Sequence, residues 1–221
     1  VTFPSQGLGN NNTVVVLNTG SPCEMPWIDE ANSVLQCWFP GQEFGNSLSD
    51  ILFGLVNPSG KLPTTFPKKL SDTPAYSTYP GKDLQMDYEE GLFIGYRWYD
   101  RENIEPLFAF GHGLSYTNFE YSNLRAVPPK NESSVAAFEL EVINKGKLYG
   151  KEIVQGYIRV KESNIERPIK ELKKFEKIGL EPGELKKIKF ELSVSHLVYR
   201  KNKEIFCETK RPKNDLGHAE L

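Results

Sequence analysis

The sequence predicts an α/β fold followed by an all-β fold: a partial α/β sandwich with a mostly parallel sheet, then a β-sandwich. In the first part, two short apolar runs, residues 14–17 and 34–39, each open into a turn, which is typical of parallel strands covered on both faces. After residue 134, apolar and polar residues instead alternate in several runs separated by turn signals. The chain of 221 residues therefore holds two kinds of layered structure.

The first part should begin with a β-α-β unit. Residues 14–17, VVVL, are apolar and mostly β-branched, and they open into the turn NTGSP. Met25, Ile28 and Ala31 then fall on one face of a helix predicted over residues 24–33, with Pro26 in its first turn. The run 34–39 follows as a second strand, parallel to the first.

A second unit is centred on the turn PGQE, residues 40–43. Apolar residues recur at helical spacing between residues 48 and 55, and we predict that the helix ends at a left-handed Asn57 because Pro58 cannot continue it. Residues 62–66 then alternate as a third strand would. With a right-handed crossover, the PGQE turn lies at the carboxyl edge of the sheet, where open α/β folds bind ligands.

The next segment, residues 68–91, is predicted to be a loop because it is rich in Ser, Asp, Thr, Tyr, Pro and Gly and has no sustained period. Loops of about 20 residues inside a compact domain are usually functional. We therefore expect this loop and the YEEG that ends it to face a ligand. The aromatic run over residues 92–99 is predicted to be extended, and glycines flank His112 in the turn FAFGHGLSY.

The remainder is predicted to be a linker and a sandwich. Residues 116–133 read as a connector that contains Pro128-Pro129. Beyond it the alternating runs AAFELEVI, EIVQGYIRV, KELKKFEKI and LKKIKFELS indicate an antiparallel β-sandwich of the immunoglobulin or fibronectin type III kind. No alternation continues after Phe206, so we expect the closing strands to be missing. The predicted domains are thus residues 1–115 and 134–221.

Charge and composition narrow the choice of partners. Residues 1–133 carry 8 basic and 15 acidic side chains, whereas residues 134–221 carry 19 and 14, a shift that supports the domain division. The lysines of the second half alternate with apolar residues like the wet face of a strand, so no nucleic-acid partner is predicted. No apolar run approaches the ~20 residues of a membrane span, and the three cysteines lack the spacing of a disulfide framework or zinc site.

Three strings then point to a family. PGQEFGNSLSDILFGLVNPSGKLPTTFP, YEEGLFIGYRWYD and PLFAFGHGLSYTNFEY resemble, in order and spacing, the carboxy-terminal half of glycoside hydrolase family 3, the family of β-glucosidases and β-xylosidases. A fibronectin-like domain follows in that family, with strings similar to GKEIVQ, RPIKELKKFEKI and LEPGE of this chain. The resemblance covers most of the sequence and implies the C-terminal part of a β-glucosidase.

The resemblance implies retaining, exo-acting hydrolysis of terminal β-D-glucosyl residues, which needs two carboxyl groups about 5 to 5.5 Å apart. In the family the aspartate nucleophile lies on a (β/α)8 barrel, and the glutamate acid/base lies on a loop upstream of the strand predicted at residues 14–17. No catalytic residue is therefore assigned to this chain, which we expect to lack the barrel and to be inactive alone. The family implies a β-linked oligosaccharide or glucoside as substrate, no cofactor and no metal, and it favours a secreted or periplasmic location.

Three residues are candidates for contact with substrate. Glu89 and Glu90 end the long loop, and the ring of Trp98 could stack on a sugar; exposed loop carboxylates and a buried indole are the alternatives. Glu43 is predicted to cap a helix, where the helix dipole stabilises a carboxylate. His112 stands close to a serine, but no G-x-S-x-G elbow is present, so a structural role in the turn is predicted.

The sequence leaves a second function open. A partial α/β sandwich joined to a fibronectin-like module could act as a non-catalytic partner that binds carbohydrate or supports another chain. The sugar specificity and linkage preference also stay open, because the resemblance places the residues that set them mainly in the barrel.

Overall fold

The structure is a computed structural model that describes residues 12–83, 85–131, 133–161, 163–201 and 204–207. It divides into two compact units. Unit 1 consists of Val1–Val56 and Lys61–Gly113, and unit 2 consists of Asn57–Gly60 and Leu114–Leu221. The chain therefore enters unit 2 for four residues, returns to unit 1, and then completes unit 2.

Unit 1 contains the predicted parallel pair. Strands β1 (Val14–Leu17) and β2 (Ser33–Gln36) run in parallel, but the helix predicted between them is reduced to a single 3-10 turn at Ile28–Glu30. Met25 and Trp27 are both buried, at 4% and 9% exposure. Residues two apart point to nearly opposite sides of a helix, so a regular amphipathic helix could not have buried both.

The helix predicted after the PGQE turn is confirmed as α1 (Phe44–Leu52), but it ends differently from the prediction. Gly54 adopts the left-handed conformation, with φ at 74°, and its N–H donates to Ile51 O at 3.0 Å. Glycine carries no Cβ and pays no steric cost in this conformation. The predicted left-handed Asn57 is therefore wrong, and this side chain has another use, described below.

The third strand predicted over residues 62–66 does not form a regular ladder. Leu62 N–H donates to His112 O at 2.8 Å and Phe66 N–H donates to Phe108 O at 2.9 Å, but only Phe66 and Phe108 form a β-bridge. Pro63 has no N–H and cannot extend the pairing between these two points. The core of unit 1 collects around this segment and contains Leu17, Met25, Trp27 and Phe66.

The loop predicted over residues 68–91 is confirmed in the part that the structure describes, where its regular element is a 3-10 turn at Leu70–Asp72. The extended segment predicted over residues 92–99 is wrong, because Tyr96–Glu102 form helix α2. Gly95, with φ at 55°, turns the chain into the helix, and Asn103, with φ at 52°, ends it in the left-handed conformation. Aromatic residues favour strands, but in this run they form a short helix that buries Tyr99 on one face.

Unit 2 confirms the predicted β-sandwich. Strands β3 (Phe119–Val127), β4 (Ser134–Asn144) and β7 (Leu185–Ser193) form one antiparallel sheet in the order β3-β4-β7. Strands β5 (Gly150–Ile158) and β6 (Glu171–Leu180) form a second antiparallel pair. Both sheets supply the buried core, which contains Leu140, Val142, Val154, Ile178, Leu180, Ile188 and Phe190.

Two predictions about unit 2 need correction or restriction. The linker predicted over residues 116–133 is wrong, because β3 lies within it and pairs with β4; Phe119 and Tyr121 pack against the core on alternate positions of that strand. At the other end, β8 (Val198–Lys201) and β9 (Glu204–Cys207) form an antiparallel hairpin. The prediction that the closing strands are missing concerns the stretch after Phe206. Residues 208–221 lie outside the described residues, so it stays a prediction.

The side chain of Asn57 holds the segment Asn57–Gly60 within unit 2. Its Oδ1 accepts hydrogen bonds from Ser115 Oγ and Tyr116 N–H, each at 2.9 Å, and its Nδ2 donates to Tyr149 O at 3.0 Å. A single amide thereby satisfies two donors and one acceptor of the sandwich. The segment NPSG thus contributes to unit 2 although it follows helix α1 in the sequence.

We expect Asn57→Ala to lower the free energy of unfolding of unit 2 by about 1 to 2 kcal/mol, since three polar groups lose a hydrogen-bond partner and water replaces only some of these hydrogen bonds. Asn57→Asp keeps the acceptor for Ser115 and Tyr116 but turns a carboxylate oxygen toward Tyr149 O; because Asn57 is only half-buried, water can solvate that oxygen, and the cost should be smaller than that of the alanine variant. Urea denaturation followed by far-ultraviolet circular dichroism would measure both. Equal stability of the alanine variant and the native chain would show that these bonds contribute nothing.

Candidate functional site

The carboxyl ends of β1 and β2 lie side by side and are fastened together by side chains. Cys37 N–H donates to Leu17 O at 2.8 Å, which carries the parallel pairing to the ends of both strands. Gln36 Nε2 donates to Thr19 O at 2.9 Å, and Thr19 Oγ1 donates to Ser21 O at 3.0 Å. The loop after β1 is therefore held against the end of β2, at the edge where α/β sheets bind ligands.

Two consecutive aromatic residues follow β2 and point in different directions. Trp38 packs against the core of unit 1, with its ring centroid 6.1 Å from that of Phe66, whereas Phe39 is 83% exposed. Trp38 has φ at 51°, a conformation that is uncommon for a large residue without glycine's freedom. The ring of Phe39 lies over Gly20, where an added Cβ would come within 2.4 Å of Phe39 Cζ.

Glu43 occupies the N-cap position of α1, as predicted. Its Oε2 accepts a hydrogen bond from Asn46 Nδ2 at 2.8 Å, rather than one from a backbone N–H. The carboxylate thus stays exposed next to the positive end of the helix dipole, which stabilises it there. Nothing in this arrangement sets Glu43 apart as a catalytic group.

The two candidate carboxylates at the end of the long loop have different environments. Glu89 is exposed, whereas Glu90 is only 9% exposed. Glu90 Oε2 is buried without a hydrogen-bond partner among the residues that the structure describes. A buried carboxylate oxygen is costly to leave unpaired, so Glu90 is suited to accept a hydrogen bond from a group outside the described residues.

Trp98 lies on α2 and is half-buried. Its Nε1–H donates to Asp72 O at 3.1 Å, and the guanidinium of Arg101 lies over its ring, 4.9 Å from the centroid. One face of the indole is therefore already covered. On the same helix, burial and the nearby Asp72 carboxylate raise the pKa of Tyr99 to about 12, so that phenol stays protonated at neutral pH.

His112 and Ser115 do not form a nucleophile–base pair. The imidazole stacks on Phe108, with centroids 5.1 Å apart, and partial burial together with the Lys61 charge lowers the pKa of His112. The Ser115 hydroxyl donates instead to Asn57 within unit 2. The prediction that His112 is a turn residue agrees with this stacking.

Unit 2 has a shallow depression of about 430 Å³ on the face of the β3-β4-β7 sheet. Arg125 pairs with Glu139 there and Lys187 with Glu141 at 3.2 Å; hydrogen bonds from Asn123 and Lys187 lower the pKa of Glu141. Its charges are thus neutralised in pairs, and no aromatic ring lines it for sugar stacking. The lining residues are Asn123, Leu124, Arg125, Glu139, Leu140, Glu141 and Lys187.

Within the described ranges, no group of three His, Cys, Asp or Glu side chains could hold a metal ion. None of the helices described there has the length and apolar character needed to cross a membrane. Cys23 and Cys37 carry free thiols, and partial burial raises the pKa of each.

Neither Phe39 nor Gly20 is predicted from the sequence as a candidate for ligand contact. The sequence predicts the PGQE turn at the ligand edge, but it predicts the apolar run 34–39 as one buried strand. The left-handed conformation of Trp38, which separates an inward from an outward ring, has no sequence signal in a tryptophan. The adjoining Pro40-Gly41 was the available sign that the strand stops early.

Family models match both units. The model described as glycosyl hydrolase family 3 C-terminal domain matches residues 8–116, and the model described as fibronectin type III-like domain matches residues 152–207. Together they account for the order of an α/β unit followed by a β-sandwich.

Curated relatives carry β-glucosidase names. Thermostable β-glucosidase B of Acetivibrio thermocellus is 53% identical over 86% of this chain and 25% of its own length. A β-glucosidase of Rhizobium radiobacter is 42% identical over 96% of this chain and 26% of its own length. The chain thus spans about a quarter of the length of the relatives that it matches.

Solved structures agree with these relatives. β-Glucosidase 3B from Thermotoga neapolitana, in complex with glucose, superimposes with a TM-score of 0.78 at 41% identity over 84% of this chain and 26% of that one. DesR, a β-glucosidase from Streptomyces venezuelae in complex with D-glucose, gives 0.83 at 37% identity over 90% and 26%. The fold of this chain is therefore shared with these solved structures over 84 to 90% of its length.

Proposed function

Because the chain belongs to glycoside hydrolase family 3 and carries its C-terminal domain, we propose that it is the C-terminal portion of a retaining, exo-acting β-glucosidase. In this proposal the complete enzyme removes terminal β-D-glucosyl residues from β-linked oligosaccharides or glucosides. The nucleophile and the acid/base come from parts outside these 221 residues, and this chain completes the substrate pocket.

The observation that carries the proposal is the uniformity of the relatives. Those described above are β-glucosidases, and they align with nearly the whole of both units at 37 to 53% identity. Two of the solved structures contain glucose. Specificity for glucosides over xylosides follows from these names and is part of the proposal.

For substrate contacts we propose the rim formed by the end of the long loop and α2. Glu89 is the exposed carboxylate of this rim and is suited to accept hydrogen bonds from sugar hydroxyls. Glu90 presents a buried oxygen without a partner in the described part of the chain, and an incoming hydroxyl or N–H would satisfy it. Trp98 keeps one face clear of Arg101 and supports the rim from α2.

The alternative function is a non-catalytic module that binds carbohydrate or supports another chain. Carbohydrate modules use aromatic rings that stack on sugars, and the depression on unit 2 is lined by paired charges instead. This observation favours the enzyme proposal over a sugar-binding role for the sandwich.

A chimera tests the proposed function. In the Acetivibrio thermocellus β-glucosidase B, the region that matches this chain would be replaced by this chain. We expect hydrolysis of p-nitrophenyl β-D-glucopyranoside with kcat/KM within about 100-fold of the parent, a loss of less than about 3 kcal/mol in transition-state stabilisation.

Two controls accompany the chimera: the parent enzyme, and the parent with the region deleted. A folded chimera that turns over the glucoside no faster than the deletion variant would refute the proposal. Preference for p-nitrophenyl β-D-xylopyranoside over the glucoside would refute its sugar assignment while leaving the glycosidase class intact.

A further inference from the structure

The carboxyl edge of the β1–β2 sheet presents an aromatic ring that is both exposed and fixed. Phe39 has 83% of its surface exposed, yet its neighbour Trp38 is anchored in the core of unit 1 and fixes the backbone from which the ring projects. Trp38 adopts φ at 51°, and such sparsely populated conformations in large residues collect at functional sites. The backbone next to the ring is therefore held in place by the packing of Trp38.

The ring of Phe39 rests on the backbone of Gly20, which we call its seat. An added Cβ would lie 2.4 Å from Phe39 Cζ and 2.6 Å from Cε2, so only glycine lets the ring come this close to the backbone. Gln36 and Thr19 hold the loop that carries Gly20 against the end of β2. The outer end of the ring, at Cζ and Cε2, thus lies against the backbone of Gly20, and most of the side chain is exposed.

The strands and turns that carry Phe39 favour a neutral ligand. Residues 12–60, which include β1, β2 and the turns after them, contain no Lys, Arg or His, so these elements offer no cation of their own to a phosphate or carboxylate. A flat aromatic face can pack against the axial C–H groups of a pyranose whose hydroxyls are equatorial, as in a β-glucoside. Hydroxyl and amide groups near such a ring can form hydrogen bonds with the equatorial hydroxyls of the sugar.

We propose that Phe39, seated on Gly20, is a stacking platform for a pyranose ring of the glucoside substrate. The inference rests on the proposed function, because that function identifies the ligand as a β-glucoside. It adds a contact at the sheet edge to the rim formed by Glu89 and α2.

Saturation-transfer NMR on the 221-residue chain with methyl β-D-glucopyranoside tests the platform. We expect transfer to the axial ring protons, and about 2- to 10-fold weaker binding after Phe39→Ala, the size expected for one aromatic face. Gly20→Ala keeps the aromatic residue but displaces its ring, and it should weaken binding to a similar extent.

Phe53→Ala is the matched control, because Phe53 is 80% exposed in the same unit and lies just after α1. It should leave the transfer unchanged. The proposal is overturned if the native chain shows no transfer, if Phe53→Ala weakens it as much as Phe39→Ala, or if Gly20→Ala and Phe39→Ala both match the native chain. Circular dichroism confirms that each variant is folded.

The chimera supplies a second readout that separates this inference from the proposed function. There Phe39→Ala should raise KM by the same 2- to 10-fold. An active chimera whose KM does not respond, but whose melting temperature falls, would show that the ring packs against another part of the enzyme; the platform would then be refuted and the proposed function would stand. A folded but inactive chimera would refute the proposed function, while the transfer experiment would still decide whether Phe39 binds sugar.

Discussion

The 221-residue chain alone is expected to hydrolyse p-nitrophenyl β-D-glucopyranoside no faster than the buffer does. Acid–base assistance by a positioned carboxyl group typically contributes 10²- to 10⁴-fold, and in the proposed enzyme both carboxyl roles belong to groups outside this chain. Holding the sugar against its nucleophile contributes further orders of magnitude, and the nucleophile's side of the pocket is also supplied from elsewhere. The measurement is release of p-nitrophenol over hours at high chain concentration.

The controls address the carboxylates that this chain does contain. The active chimera shows that the assay detects turnover, and Glu89→Gln, Glu90→Gln and Glu43→Gln test each local candidate in the isolated chain. Turnover by the chain alone that one of these variants abolishes would contradict the prediction and make that carboxylate a catalytic residue. Turnover that survives all three would point to a contaminating glycosidase, which a further purification step would remove.

Where a single periodic signal controlled the local structure, the sequence was enough to predict it. The run VVVL has apolar residues throughout and formed β1, and the apolar spacing after PGQE formed α1. The alternating runs of the second half formed β4 to β7 because each buries one face between the two sheets. In these segments the local pattern and the tertiary packing demand the same structure.

The errors arose where tertiary packing used a residue against its local preference. Met25 and Trp27 are both buried, which a regular helix would not allow, and the aromatic run near Tyr99 became a helix rather than a strand. Pro63 interrupted the third strand because it lacks a donor. The alternation of Phe119 and Tyr121 with polar residues was present in the sequence, but the nearby Pro128-Pro129 favoured a linker instead.

The candidate site was predictable in position but not in detail. The rule that ligands bind at the carboxyl edge placed PGQE there, and the length of the loop drew attention to Glu89 and Glu90. Which of the two is buried depends on how the chain folds back after them, and no periodic pattern encodes that. The seat of Phe39 on Gly20 joins residues 19 positions apart and depends on tertiary structure alone.

The largest effect on stability is expected from replacing Asn144, which is fully buried at the end of β4. Its Oδ1 accepts from Thr117 Oγ1 at 2.6 Å and from Gly146 N–H at 3.0 Å. Its Nδ2 donates to Leu148 O at 2.8 Å and to Leu180 O at 3.0 Å. The amide thus uses both its acceptor positions and both its donors, and it connects the end of β4 to β6, to the β4–β5 turn and to the segment before β3.

Asn144→Leu keeps the branched shape of the side chain, at a larger volume, but leaves four polar groups, two of them in fully buried hydrogen bonds, without a partner. Each such group costs about 1 to 3 kcal/mol. The costs are not additive, because the four groups surround one side chain and the structure around it relaxes once for all of them. We therefore expect the free energy of unfolding to fall by about 3 to 5 kcal/mol in total. That is a large part of the 5–15 kcal/mol that typically holds a domain folded. Asn144→Asp should be as damaging, because a carboxylate oxygen would then face the carbonyls of Leu148 and Leu180.

Urea denaturation can assign this loss to unit 2. All three tryptophans, Trp27, Trp38 and Trp98, belong to unit 1, so their fluorescence follows that unit, while far-ultraviolet circular dichroism is dominated by the long strands of unit 2. The dichroism midpoint should move to markedly lower urea in both Asn144 variants. Asn118→Leu, an exposed position in unit 2, should change stability by no more than about 0.5 kcal/mol. If Asn144→Leu falls within 1 kcal/mol of that control, the four hydrogen bonds do not stabilise the sandwich as their burial implies.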